Sequence, residues 1–204
     1  MSSQPFIVDL ANLKRRARED VLDGAVTRDY KADRTAVIAI LNGALASEIV
    51  CVLRYKYHYF MASGIHARSM REEFLEHAAD EQKHADAIAT RIVQLDGTPN
   101  LSPEGLHLRS HTDYIQGNTI VEMLKEDLVA ERIAVESYLG IIRYLGSDDP
   151  TTRRLIESIL EAEEDHAEDL KSMLEDLGMP GEPAKNAGVS GSDHKRGNGA
   201  EHRP

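Results

Sequence analysis

Tryptophan is absent from this chain of 204 residues, aromatics make up 5% of it, and Cys51 is its one cysteine. A composition poor in aromatics and rich in Ala, Leu, Ile, Glu and Arg favours helix. A lone cysteine excludes an internal disulfide and fits a reducing compartment. The opening MSSQPFIVDLANLKRRARED has no apolar core of the kind a secretory signal needs, so the expected location is the cytoplasm. The most apolar stretch, Ala36 to Leu53, is interrupted by Asn42, Ser47 and Glu48, and helical periodicity explains it better than a membrane span. Positive charge is in short supply: 24 Lys and Arg against 35 Asp and Glu leave a net charge of −11. A protein of that charge repels nucleic acid and attracts cations.

Four long segments carry apolar residues at alternating steps of three and four, the seam pattern of bundled helices. The first runs through Ile38, Leu41, Leu45, Glu48, Val52, Tyr55 and Tyr59, and the second through Phe74, His77, Glu81, His84, Ile88, Arg91 and Leu95. The third runs through Val121, Leu124, Leu128, Glu131, Val135, Tyr138 and Ile142, and the fourth through Leu155, Ile159, Ala162, His166, Leu170, Met173 and Leu177. Ser63-Gly64 separates the first pair and Gly146 to Pro150 the second, so each pair reads as a helical hairpin. The middle link, Asp96 to Asn118, is far longer than a hairpin requires and contains Gly97, Pro99, Pro103, Gly105 and Gly117. It predicts a crossover along the bundle. The expected organisation is an N-terminal extension (1–34) with one short helix over Ala11 to Leu22, a four-helix bundle (35–177) and a disordered tail (178–204).

Every seam contains a charged or metal-binding residue where an apolar one belongs. Glu48 interrupts the first and Glu131 the third, while Glu81-x-x-His84 and Glu163-x-x-His166 interrupt the second and fourth. Residues three apart share a helix face, so each Glu-x-x-His can hold one metal from one side. Glu48 and Glu81 are 33 residues apart and Glu131 and Glu163 are 32 apart, each interval centred near its turn, so all four acids meet at one height. A buried unpaired carboxylate costs several kcal/mol even after relaxation, and four together would oppose folding. Two divalent cations neutralise four carboxylates and take the imidazoles as further ligands. One Glu from each of two helices plus Glu-x-x-His from each of the others is the recipe for such a di-metal site. The pair motif alone is weak. Composition predicts roughly 0.8 occurrences at the i, i+3 helix spacing, and there are three, the third being Glu104-x-x-His107 in the crossover with no matching partner.

Asp80-Glu81-Gln82-Lys83-His84-Ala85-Asp86, Leu95-Asp96-Gly97-Thr98-Pro99-Asn100, Asp127-Leu128-Val129-Ala130-Glu131 and Glu163-Glu164-Asp165-His166 resemble bacterioferritin, over about Ala36 to Leu177. The resemblance implies an all-α, ferritin-like four-helix bundle. It implies that Glu48, Glu81, His84, Glu131, Glu163 and His166 hold two irons per subunit, with Glu81 and Glu163 bridging. Tyr55 matches a tyrosine near the family's iron site. The implied activity is ferroxidase, oxidation of Fe(II) by dioxygen or peroxide, with storage of the product in a hollow homo-oligomeric shell. Manganese suits the same donors. The methionine that holds haem in bacterioferritin falls here at Gln82, so no haem b is expected. The longer crossover, the N-terminal extension and a tail in place of the family's fifth helix are more similar to Dps-like ferritins, and twelve subunits are favoured over twenty-four.

Secondary candidates have two readings each. Tyr55 is either redox-active or a hydrogen-bonded core aromatic. His77, one turn before Glu81, either feeds iron inward or is a satisfied core histidine, the latter preferred. Asp127, one turn before Glu131, lies either behind the ligands or on the surface. Cys51 reads as a small buried residue. Lys14-Arg15-Arg16 with Arg18, and Lys195, Arg196 and Arg203 in the tail, offer basic charge to DNA, against which the net charge argues. The competing functions are a di-iron or di-manganese oxidase or peroxidase without storage, and a DNA-protecting protein.

Overall fold

The computed structural model describes residues 9–65 and 67–179. Six helices follow in order: α1 Leu10–Glu19, α2 Arg34–Met61, α3 Ala67–Gln94, α4 Leu106–Arg109, α5 Ile120–Leu145 and α6 Pro150–Asp176. The four long ones form the bundle, and no strand occurs among the described residues. Local chemistry fixes where they begin. The Asp33 carboxylate accepts from the amides of Thr35 and Ala36 at the start of α2, and Thr119 accepts from that of Glu122 at the start of α5. Asp149 does the same for α6, whose first residue is Pro150, a position that needs no amide donor. Gly146 ends α5 with φ 50° and ψ −121°, a conformation that only glycine adopts without strain.

The helices pair as α2 with α3 and α5 with α6. Between the pairs, the crossover lies along α2. Asn42 donates to the carbonyl of Thr98 and accepts from the amide of Asn100. Further along, Ser47 accepts from the amide of His111, and Arg54 donates to Thr112 and to the carbonyl of Asp113. The chain therefore travels the length of α2 before α5 begins. Arg54, late in α2, pairs with Asp127, early in α5, while Tyr30, before α2, bonds Asp149, after α5, so α5 runs antiparallel to α2 and in the same sense as α3. Gly97 allows the tight start of this path: a Cβ there would lie 2.9 Å from the Ile38 side chain.

The core is split in two. One apolar cluster contains Leu41, Leu45, Ile88, Ile92, Tyr138 and Ile156, the other Tyr55, Phe74, Leu124 and Leu170. The polar site lies between them, surrounded by low-dielectric packing. Over 18 residues α2 reaches a mean hydropathy of 2.2, enough in length and composition for a membrane span. Its burial between α3, α5 and the crossover, and the Glu48, Arg54 and His58 it buries, account for that composition as a core helix. Some expected seam positions on α5 shift. Val121, Leu128, Val135 and Ile142 are only half-buried, while Met123, Asp127, Ala130 and Ile141 are buried. A 3.6-residue turn drifts against a 3.5-residue repeat over a helix this long. The short N-terminal helix ends at Glu19 rather than Leu22, and none of its residues is buried.

Candidate metal centre

Six side chains from four helices converge midway along the bundle. Glu48 comes from α2, Glu81 and His84 from α3, Glu131 from α5, and Glu163 and His166 from α6. The four glutamates are at most 2% exposed. Donor atoms of Glu48, Glu81, His84 and Glu163 all lie within 4.8 Å of one another, and so do those of Glu81, Glu131, Glu163 and His166. Glu81 and Glu163 belong to both groups, and Glu48 and Glu131 to one each.

The donors converge without satisfying one another. His84 Nδ1 is 3.1 Å from Glu163 Oε1 and 3.5 Å from both Glu48 Oε2 and Glu81 Oε2. His166 Nδ1 is 3.4 Å from Glu81 Oε1 and from Glu163 Oε2. Both imidazole Nδ1 atoms, both Glu163 oxygens and one oxygen of each other glutamate have no hydrogen-bond partner among the described residues. A native core rarely leaves one such group unsatisfied, so this cluster requires an explanation outside the protein. Its donor set, carboxylate oxygen with imidazole nitrogen, is one that binds divalent iron, manganese or zinc.

Electrostatics are correspondingly strained in the protein alone. Burial, then the charges of Glu81 and Glu163, push the Glu48 and Glu131 carboxyls well above the usual carboxylate range. Burial opposes charge on Glu81 too, but Glu48 and the two histidines outweigh it and hold Glu81 below that range. Burial also disfavours the charged imidazoles. The adjoining carboxylates overcome this and push His84 up to about 12 and His166 to about 10. Without metal, then, the centre holds its charge with protons.

The surrounding residues divide. The Tyr55 hydroxyl donates to Glu131 Oε1. The His77 ring stacks on that of His166 at 4.2 Å, with Nδ1 3.3 Å from the Tyr55 hydroxyl, and burial followed by the nearby His166 lowers it to about 4. Asp127 is fully buried and is bonded to Arg54 at 2.7 Å and His58 at 2.7 Å, away from the metal-type donors. Cys51 is buried, and burial pushes its thiol up, away from the reactive thiolate. Glu104 and His107 are exposed and belong to no metal-type group among the described residues. Gln82 is exposed, its amide donating to Asp86. Arg15 pairs with Glu19 and Arg16 with Asp29, which spends part of the basic charge of α1 internally. Lys195, Arg196 and Arg203 lie outside the described residues.

The family profile described as Ferritin-like domain matches residues 38–179, most of the chain. The chain belongs to the ferritin-like family. Among curated relatives of this ferritin-like chain, a bacterioferritin of Mycobacterium leprae is 34% identical over 148 residues, covering 72% of this chain and 88% of the relative. A bacterial ferritin of Pseudomonas aeruginosa is 31% identical over 140 residues, covering 68% and 86%. Among solved structures, a dodecameric thioferritin from Bacteroides fragilis, described as bacterioferritin-related, superposes with a TM-score of 0.70 at 31% identity, covering 72% of this chain and 89% of its own. Dps from Thermosynechococcus elongatus shares the fold, with a TM-score of 0.66 at 21% identity over 77% and 96%.

Two buried networks of this ferritin-like chain escape a reading of the seams. Arg54 is 1% exposed and joins Asp127, Thr112 and Asp113, tying α2, α5 and the crossover together. Arg91 joins Thr152 at 2.7 Å and Asp149 at 3.0 Å, and Tyr30 donates to the same Asp149 at 2.8 Å. Arg91 does lie on the second seam, and its charge at an apolar position was the available signal. Arg54 lies on a second stripe of α2, through Ser47, Cys51, Arg54 and His58 at steps of four, three and four.

Proposed function

We propose that the protein is a ferroxidase that oxidises Fe(II) at this centre and stores the product in an oligomeric shell. The observation that carries the reading is the double membership of Glu81 and Glu163 in two buried donor groups, each of whose members leaves at least one donor atom without a hydrogen-bond partner. Two divalent ions offset the four carboxylates and accept the orphaned lone pairs. Glu81 and Glu163 bridge them. Glu48 with His84, and Glu131 with His166, complete one ion each. Tyr55, through its hydroxyl, fixes the orientation of Glu131, and the Asp80 carboxylate lies behind His166, 3.7 Å from Nε2.

Iron here is the substrate. Two Fe(II) lose one electron each. Dioxygen accepting both, with two protons, leaves as hydrogen peroxide, and peroxide doing so leaves as two waters. The space beside the carboxylates favours this chemistry over oxidation of an organic substrate, because that cavity has a volume of about 10 Å³, the size of a single water. A single ion fits such a space. Family membership supports storage, and the bacterioferritin-related dodecamer supports twelve subunits.

The test combines metal content per subunit with Fe(II) oxidation kinetics, using dioxygen and peroxide separately. The expected result is two metals per subunit and rapid oxidation with mineral retained by the protein. Glu81→Ala should abolish the rapid phase while the circular dichroism stays helical. Oxidation at the unaltered rate in that variant rejects the site. Turnover without retained iron favours the oxidase reading.

A further inference from the structure

The cavity that touches the buried carboxylates also reaches outward. Glu48, Glu81, Glu131 and Glu163 line its inner end, while Ser47, His111 and Ser137 are among the residues that line the rest, and of these three His111 is exposed. His111 belongs to the crossover, and three contacts hold it there. Its backbone amide donates to Ser47 Oγ at 2.8 Å, beside Glu48 in sequence. The next residue, Thr112, is fixed by Arg54 at 3.2 Å. The imidazole lies against the backbone of α2 at Gly43, where a Cβ would sit 3.0 Å from Nε2. The crossover thus places one imidazole at the outer end of the cavity whose inner end holds orphaned carboxylate oxygens of Glu48, Glu131 and Glu163, all at least nine-tenths buried.

We propose that divalent cations reach the centre through this cavity, and that His111 is a transit ligand that takes the cation from solvent and passes it to the carboxylates behind. The proposal rests on the di-metal reading of the centre. Imidazole suits the task because it binds a divalent ion by one lone pair and holds no permanent charge that would trap it. Partial burial of the ring against α2 lowers His111 from the ordinary histidine range, which favours a neutral ring with a free lone pair near pH 7. The field supplies direction, since the chain as a whole carries −11. An alternative path passes His84, whose side chain is 13% exposed.

Cobalt(II) absorbance read by stopped flow on the metal-free full-length protein separates these. In His111→Asn, which keeps the size but weakens the ligand, the loading rate should fall about tenfold while the final spectrum and the cobalt bound per subunit stay the same. His111→Asp, which has the shape of the Asn variant but a competent ligand, should recover most of the rate, which a merely structural role would not permit. Ser137→Leu, which fills the cavity, should slow loading as well. An unchanged rate in His111→Asn, or slowing that His111→Asp fails to recover, overturns the transit role. Slowing in Ser137→Leu alone keeps the path but also removes His111 from it, and that too overturns the proposal. If the unaltered protein binds no cobalt, the di-metal reading itself fails.

Discussion

Each orphaned donor at the centre is an atom whose partner must come from solution, and the behaviour of single residues follows from that. His84 and His166, held up to about 12 and about 10 by the carboxylates around them, are protonated near neutral pH in the metal-free protein. Glu48 and Glu131, pushed above the carboxylate range, hold protons as well. A metal competes for the same lone pairs, so loading must expel protons. The expected outcome is proton release into a weakly buffered indicator solution on adding cobalt or iron, with apparent affinity rising with pH. Proton-neutral loading contradicts this. Metal that binds only the folded state also adds stability, about 2.7 kcal/mol at a hundredfold excess over Kd, visible as a raised midpoint of chemical unfolding. Tyr55 offers the sharpest single-residue test of its two readings. Tyr55→Phe keeps the ring against Phe74 but removes the donor to Glu131. Loss of one outer hydrogen bond to a ligand typically costs 10–100-fold in affinity or activity, so about tenfold slower oxidation is expected. An unchanged rate would leave Tyr55 as a packing residue.

At the scale of helices, Asp149 does the work of several residues. It caps α6, accepts from Tyr30 and neutralises Arg91, which is 8% exposed. Asp149→Ala should therefore destabilise by about 3–5 kcal/mol, the cost of leaving one member of a buried ion pair alone. Tyr30→Phe should cost about 1 kcal/mol, a single neutral hydrogen bond. Urea unfolding of the metal-free proteins reads both. These networks also mark what a sequence reveals of such a molecule. The four long helices, the two hairpins and the crossover were legible because apolar residues recur at helical spacing and Gly and Pro interrupt them. The six residues of the centre were legible because a charge on an apolar seam has no cheap explanation. Arg54 and His58 were not. A seam reading assumes that a helix has one buried face, and the crossover covers a second face of α2, burying Ser47, Cys51, Arg54 and His58 together. The partners of Arg54, Thr112 and the carbonyl of Asp113, lie 58 and 59 residues away in a segment without periodicity. Nothing local in the sequence announces them.

At the scale of the whole molecule, the described surface is more apolar in places than an isolated chain requires. Phe60 is 72% exposed, Met61 52% and Ile65 94%, all at the α2–α3 end, and Leu108 on α4 is 79% exposed. Large apolar side chains in the open are a common signature of contact with another chain. A shell supplies such contacts, and closed point-group symmetry limits the forms it can take. The choice between twelve and twenty-four copies turns on the C-terminus. α6 stops at Asp176, and the sequence that follows contains Gly178, Pro180, Gly181 and Pro183. Each proline costs about 3 kcal/mol and each glycine about 1 kcal/mol in a helix interior, and few apolar residues follow that would bury such a helix if it formed. The sequence expectation of twelve subunits rests on this stretch, most of which lies outside the described residues, and the bacterioferritin-related dodecamer at 31% identity supports the same number. Twelve copies of the 22.7 kDa chain weigh about 272 kDa and twenty-four about 545 kDa, and the smaller closed shell is the expected assembly. Light scattering on a sizing column separates the two. A mass near the larger value returns the fifth-helix argument for revision. A dimer near 45 kDa would remove the shell, and storage with it, while leaving the oxidation chemistry of the centre intact.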